Sequence, residues 1–204
     1  MNDQEMANLT RFIFELGQLK RTPRSGWLKL GVDNPESVAD HSFRTAVIGF
    51  LLGRLEGENP YESAGYCLLH DVAETRTLDL DWLAQHYLEK EDHVSTEVIT
   101  DQIDGLPDEL ESSLDQLMTR TTESKNLKRV ARDADLLDLI FQALELYYQG
   151  NQLAKKWFEN TLPDLKTESG KRIGQYLKEK DQKGGLKDLL AWWEHAGSSR
   201  GQDS

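Results

Sequence analysis

Apolar residues recur at intervals of three and four along nearly the whole chain, and no stretch alternates with period two. A side chain repeats its direction every 3.6 residues in a helix and every two in a strand, so the pattern restricts the chain to helices packed on helices. Helices are predicted near residues 4–19, 37–56, 61–75, 80–104, 107–120, 124–149, 151–160, 164–181 and 185–195. Pro and Gly fall between them, at Pro23, Gly26, Pro35, Gly57, Pro60, Gly105, Pro107, Gly150, Pro163, Gly184 and Gly185. Ser37 with Asp40 predicts a capping box at the start of the second helix. A length of 204 residues suffices for one well-buried core and is short for two. The expectation is one all-α domain over residues 1–196, with 197–204 as a disordered tail.

A net charge of −12 argues against a nucleic-acid polymer or an anionic membrane as partner, since both need an excess of Lys and Arg. A single cysteine, Cys67, excludes an intrachain disulfide and a Cys-rich zinc site. The opening MNDQEMANLT lacks the layout of a signal peptide. No apolar run approaches the roughly 18–20 residues that span a bilayer. A cytoplasmic location is expected.

The predicted helix 37–56 carries Val38, Phe43, Ala46, Val47, Phe50 and Leu51, which implies a path through the core, and His41 lies in its first turns. The next helix ends in CLLHDVAE, residues 67–74. There His70 and Asp71 point about 100° apart, so one ion between them can touch both, and Glu74 follows His70 by four residues. A lone inward histidine is ordinarily a core residue with one hydrogen bond. Two helices that each bring one inward, one with an adjoining aspartate, fit a divalent-metal site better. A further carboxylate is expected from LKRVARDADLLDLIFQALELYY. Periodicity there favours Asp133, whereas Asp135 shares a stripe with Arg132, Asp138 and Gln142 that reads as the wetter face.

His41, the pair His70-Asp71 and a later Asp follow the H…HD…D pattern of the HD-domain metal-dependent phosphohydrolases. LKRTPRSGW (19–27), PESVADHSFR (35–44), HDVAE (70–74) and ARDADLLDLIFQALE (131–145) resemble, in order and spacing, the short HD proteins related to bacterial 5′-deoxynucleotidases. The resemblance covers residues from about 4 to 150. It implies an HD-type helical bundle, with the ligand aspartate seven residues before a Gln–small pair. Gln142-Ala143 then selects Asp135, with Asp133 as the alternative.

The resemblance further implies one divalent cation (Co, Mn, Mg, Ni, Zn or Fe) held by His41, His70, Asp71 and Asp135. Glu74 would handle a proton. HD proteins with two irons for oxygenase chemistry carry Lys at that position. Other two-metal members add histidines in the interval where His86 and His93 stand, but the flanks of these two read as an exposed helix. Asp79 matches a family aspartate that follows Gly, here replaced by Leu78. Arg24 and Trp27 match residues that line the substrate pocket, and Arg24 lies in LKRTPRSGWLKL, a basic, acid-free segment suited to a phosphate. Trp27 can equally be a core anchor. The expected activity is hydrolysis of nucleoside 5′-monophosphates, deoxyribonucleotides above all, by a homodimer. A triphosphohydrolase or cyclic-nucleotide phosphodiesterase using the same site is one alternative. A non-catalytic nucleotide-binding protein is another. The late aromatics Trp157, Phe158, Trp192 and Trp193 read as core or interface.

Overall fold

A computed structural model describes residues 1–88 and 91–194, and the side chains of all of these except 91–93 and 119–123. Helix α1 (Asp3–Leu16) opens on a capping box made by Asn2 and Glu5, and a 3₁₀ turn, Gly17–Lys20, follows it. The chain continues through α2 (Ser25–Leu28), α3 (Val38–Leu55), α4 (Pro60–Leu69), α5 (Glu74–Thr77), α6 (Trp82–Tyr87) and α7 (Glu91–Ile103). The remaining helices are α8 (Asp108–Glu123), α9 (Lys125–Tyr148), α10 (Ala154–Thr161), α11 (Glu168–Gln182) and α12 (Leu186–Leu190). Among the described residues no strand forms, and an isolated bridge pairs Pro23 with Ser37. The all-α expectation holds.

The centre of the molecule is α9, which buries Val130, Ala134, Leu137, Ile140 and Leu144 along one side. It packs against α3, α4 and α10. The approach of α3 to α4 is close because glycine faces it: a Cβ on Gly49 would stand 2.7 Å from Cys67 Sγ. Ser37 and Asp40 form the expected capping box on α3, each backbone N–H bonded to the other's side chain.

Three expectations change. The helix predicted over 61–75 stops at Leu69, since Val72 N–H reaches Leu69 O and Glu74 N–H reaches Asp71 O. Those three-residue bonds tighten the backbone into turns that carry His70 and Asp71. The helix predicted over 80–104 divides into α6 and α7. Finally, α3 does not run fully through the core. Its buried stripe is the small-residue one (Ser42, Thr45, Gly49, Gly53), and Phe43 (69% exposed), Val47 and Leu51 face outward. Val38 and Leu52 are buried beside that stripe, so α3 contributes to the core along one part of its surface and leaves the rest uncovered. Trp192 and Trp193 are likewise exposed, which removes them from the core, whereas Phe158 is buried. The predicted tail 197–204 lies outside the described residues.

Candidate active site

Three segments converge at the N-terminal end of α3. Residues 22–24 are tied to its start by Val38 N–H to Thr22 O (2.9 Å) and Arg24 N–H to Glu36 O (2.9 Å). The turn after α4 brings His70 and Asp71, and α9 brings Asp135. His41 Nε2 lies 3.4 Å from His70 Nε2, 3.5 Å from Asp71 Oδ2 and 3.5 Å from Asp135 Oδ1. His70 Nε2 lies 3.2 Å from the same Asp71 oxygen. His41, His70 and Asp71 each offer one donor atom to a common point and can hold a metal ion.

The donor chemistry fits a cation. His70 Nδ1 stands 2.7 Å from the Cys67 carbonyl, which only accepts, so Nδ1 carries the proton and Nε2 presents a lone pair. That lone pair faces the Asp71 Oδ2 oxygen and a second imidazole nitrogen. Acceptors gathered at one point repel unless a positive charge stands among them. In Asp135, burial pushes the carboxyl up, but His70, His41, Arg24 and Arg132 together hold it below the usual range. Arg132 Nη1 donates to its Oδ2 at 2.9 Å.

Glu74 starts α5 directly after this turn. Its Oε2 is buried without a hydrogen-bond partner. Burial, followed by the nearby Asp71 and Asp79 charges, pushes its carboxyl up to about 9 against the pull of Arg24. An acid of this kind keeps its proton near neutrality until a cation arrives beside it.

Arg24 spans the acids. Its Nη1 lies 3.1 Å from Asp79 Oδ1 and 3.5 Å from Asp71 Oδ2, and its Nη2 lies 3.8 Å from Asp135 Oδ1. Burial opposes its charge, but Asp71, Asp79 and Asp135 hold its pKa raised. Asp79 Oδ2 also accepts from the Ser25 N–H, so both its oxygens hold the loop that carries Arg24. Trp27 is 3% exposed, donates Nε1–H to Glu36 at 3.0 Å and packs on Trp157 with ring centres 5.0 Å apart. It anchors the same loop from beneath.

Leu78, which precedes Asp79, has φ 64° and ψ 164°. The loop therefore keeps a backbone shape suited to glycine although leucine occupies it. Such a conformation costs a non-glycine residue about 1–3 kcal/mol, and glycine's extra chain entropy offsets roughly 0.5–1 kcal/mol of the relief. Since Leu78 is exposed, little packing is lost on its removal. Leu78→Gly should stabilise the protein by about 1 kcal/mol in a urea melt. A lower midpoint would show that the leucine side chain contributes more than its strain.

Asp133, the alternative ligand, points elsewhere. It is fully buried and accepts from the backbone N–H groups of Lys166 and Thr167. His86 is exposed as expected, and the side chain of His93 lies outside the described residues. The stripe through Asp135, Asp138 and Gln142 is not the wet face it resembles in sequence, because Asp138 is buried and paired with His41 and Arg44. Arg44, Asp138, Gln142 and Glu145 form a network that sequence reasoning missed. The available signal was a charged residue, Arg44, inside a helix expected to be core. A cavity of about 1060 Å³ lies apart from this site among Leu55, Leu144, Tyr148, Ile173, Leu186 and Trp192. It is chiefly apolar, with Glu145 and Arg172 in its lining, whereas the His and Asp side chains converge at the N-terminal end of α3.

Residues 16–179 match the family model described as HD domain. The chain is 35% identical over 141 residues to the mouse protein named 5′-deoxynucleotidase HDDC2, covering 68% of this chain and 70% of that one. It is 27% identical to a 5′-deoxynucleotidase of Citrobacter koseri, over 78% of this chain and 85% of that one. Among solved structures, a conserved hypothetical protein from Pyrococcus furiosus superimposes with a TM-score of 0.63 at 31% identity. The match covers 85% of this chain and 97% of that one.

Proposed function

The chain belongs to the HD-domain family, and from that membership and the site geometry we propose that it hydrolyses nucleoside 5′-monophosphates, deoxyribonucleotides above all, to nucleoside and phosphate. The observation that carries this reading is the meeting of His41 Nε2, His70 Nε2 and Asp71 Oδ2 within 3.5 Å, beside the buried acid of Glu74. The relatives named 5′-deoxynucleotidase support the substrate class.

His41, His70, Asp71 and Asp135 would hold one divalent cation. When bound, that ion supplies Lewis-acid polarisation of the phosphoryl group and acidifies water. Arg24 would pair with the phosphate oxygens through its fork of donors, exchanging part of its contact with Asp79 and Asp71 for the substrate. Trp27 would line that pocket from below and fix the Arg24 loop. Asp79 would orient that loop and, through it, the phosphate. Glu74 would carry the proton between water and the departing nucleoside oxygen, its raised pKa placing the proton within reach near neutrality.

No helix of the described residues is long and apolar enough to cross a membrane. We read the chain as cytoplasmic, supported by its single buried thiol, and as a homodimer. The outward stripe of Phe43, Val47, Leu51 and Leu55 on α3 supports the dimer, since apolar area of this kind is usually covered by a partner.

The test is phosphate release from nucleoside mono-, di- and triphosphates and cyclic nucleotides, after EDTA treatment and add-back of Co²⁺, Mn²⁺ or Mg²⁺. Sedimentation of the same samples reads the assembly state. Activity should vanish with EDTA, return with metal and favour deoxynucleoside monophosphates. The reading fails if no monophosphate turns over with any of the three ions, and release only from triphosphates would move it to a triphosphohydrolase. A monomer at assay concentration would overturn the dimer.

A further inference from the structure

We propose that Asp138, braced by Arg44, is the positioning residue that sets which nitrogen of His41 is free and aims it at the cation, and so fixes the metal affinity of the site. The inference rests on the hydrolase reading in one respect, that a cation binds among His41, His70 and Asp71.

His41 is fully buried, and its ring has two neighbours on the Nδ1 side. Asp138 Oδ2 lies 2.6 Å away and Thr45 Oγ1 lies 3.3 Å away. The two have different consequences. A hydroxyl can donate to Nδ1, which would leave the proton on Nε2, pointing at the cation position. An ionised carboxylate can only accept, so it requires the proton on Nδ1 and leaves Nε2 bare. The shorter contact is the carboxylate, and it selects the competent tautomer.

An ionised carboxylate in a core needs compensation, and Asp138 is 1% exposed at its side chain. Arg44 provides it. Its Nε donates to Asp138 Oδ1, its Nη2 donates to Gln142 Oε1 at 2.9 Å, and its Nη1 forks onto Glu145 at 2.8 and 3.0 Å. With three of its nitrogens held, the guanidinium has little freedom to turn away from Asp138. The arrangement follows from helix geometry. Residues three apart lie on one helical face. His41 and Arg44 therefore advance along α3 as Asp135 and Asp138 advance along α9. Asp135 meets the Nε2 edge of the ring and Asp138 meets the opposite edge.

The experiment is calorimetric titration of Co²⁺ into the full-length, EDTA-treated protein, with thermal melting of the metal-free form alongside. Asp138→Asn keeps the shape of the side chain but can turn an amide N–H toward Nδ1. It should weaken Co²⁺ binding by about 10–100-fold, with the metal-free melting temperature within a few degrees of wild type. A purely structural role would lower the melting temperature and leave the affinity of the folded protein unchanged, and that result overturns the inference. If Asp138→Asn does not fold, Arg44→Gln serves instead, because Arg44 is partly exposed and its loss leaves Asp138 in place without its brace. It too should bind Co²⁺ more weakly than wild type, and equal affinity overturns the inference. A wild-type chain that takes up no Co²⁺ overturns the hydrolase reading and the inference with it. Equal affinity in wild type and variant removes the inference alone.

Discussion

Glu74→Ala should turn over deoxynucleoside monophosphates about 10²–10⁴-fold more slowly than wild type, the usual effect of losing a general acid or base. It should retain the metal, because the donor group of His41, His70 and Asp71 does not include Glu74. A carboxyl group whose Oε2 is buried without a partner, beside Asp71 and Asp79, is destabilised as an anion and holds its proton to about pH 9 in the metal-free chain. A merely structural glutamate would have its oxygens satisfied, as those of Glu145 are by Arg44. Steady-state kinetics with elemental analysis of the purified variant checks this. More than about a tenth of wild-type kcat, with metal bound, would sink the proton role.

The second large effect concerns stability. Asp133 accepts from Lys166 N–H at 2.9 Å, Thr167 N–H at 2.7 Å and Thr167 Oγ1 at 2.6 Å, all at the entrance to α11. The fit is close enough that a Cβ on Gly170 would meet Asp133 Oδ2 at 2.5 Å. Hydrogen bonds to a charged group contribute about 1.5–3 kcal/mol each, and donors left buried without an acceptor add a desolvation penalty. Because the three share one carboxylate, their losses do not simply add. Asp133→Ala should therefore lose about 3–5 kcal/mol in urea unfolding and still bind one metal. The reverse pattern, stability kept and metal lost, would make Asp133 the ligand in place of Asp135.

That choice between two aspartates shows where sequence reading ended. Asp133 and Asp135 stand on one helix that is buried on several sides, so the apolar pattern of α9 distinguishes them poorly. Which of them meets the histidines depends on what faces each side: α3 beside Asp135, the start of α11 beside Asp133. Periodicity pointed to Asp133, and the motif pointed to Asp135, the one beside His41. Arg44 and Asp138 were hidden for a related reason. A charged pair 94 residues apart leaves no local pattern, and Asp138 read as wet because its partner could not be seen.

Most local signals were legible. The Ser37–Asp40 capping box, most of the helix-length periodicities and the adjacency of His70 and Asp71 depend on residues within a turn or two of one another. Sequence by itself thus determined that the chain is helical, where most of its helices lie, and that two histidines with an adjoining aspartate are available as ligands. Tertiary structure decided the remainder. It ended α4 at Leu69, held Leu78 at a positive φ, turned Phe43 and Leu51 outward and buried Asp138 against His41. The reason is range. Helix formation is governed by neighbours three or four residues away, whereas burial, charge compensation and backbone strain are set by whichever element packs opposite.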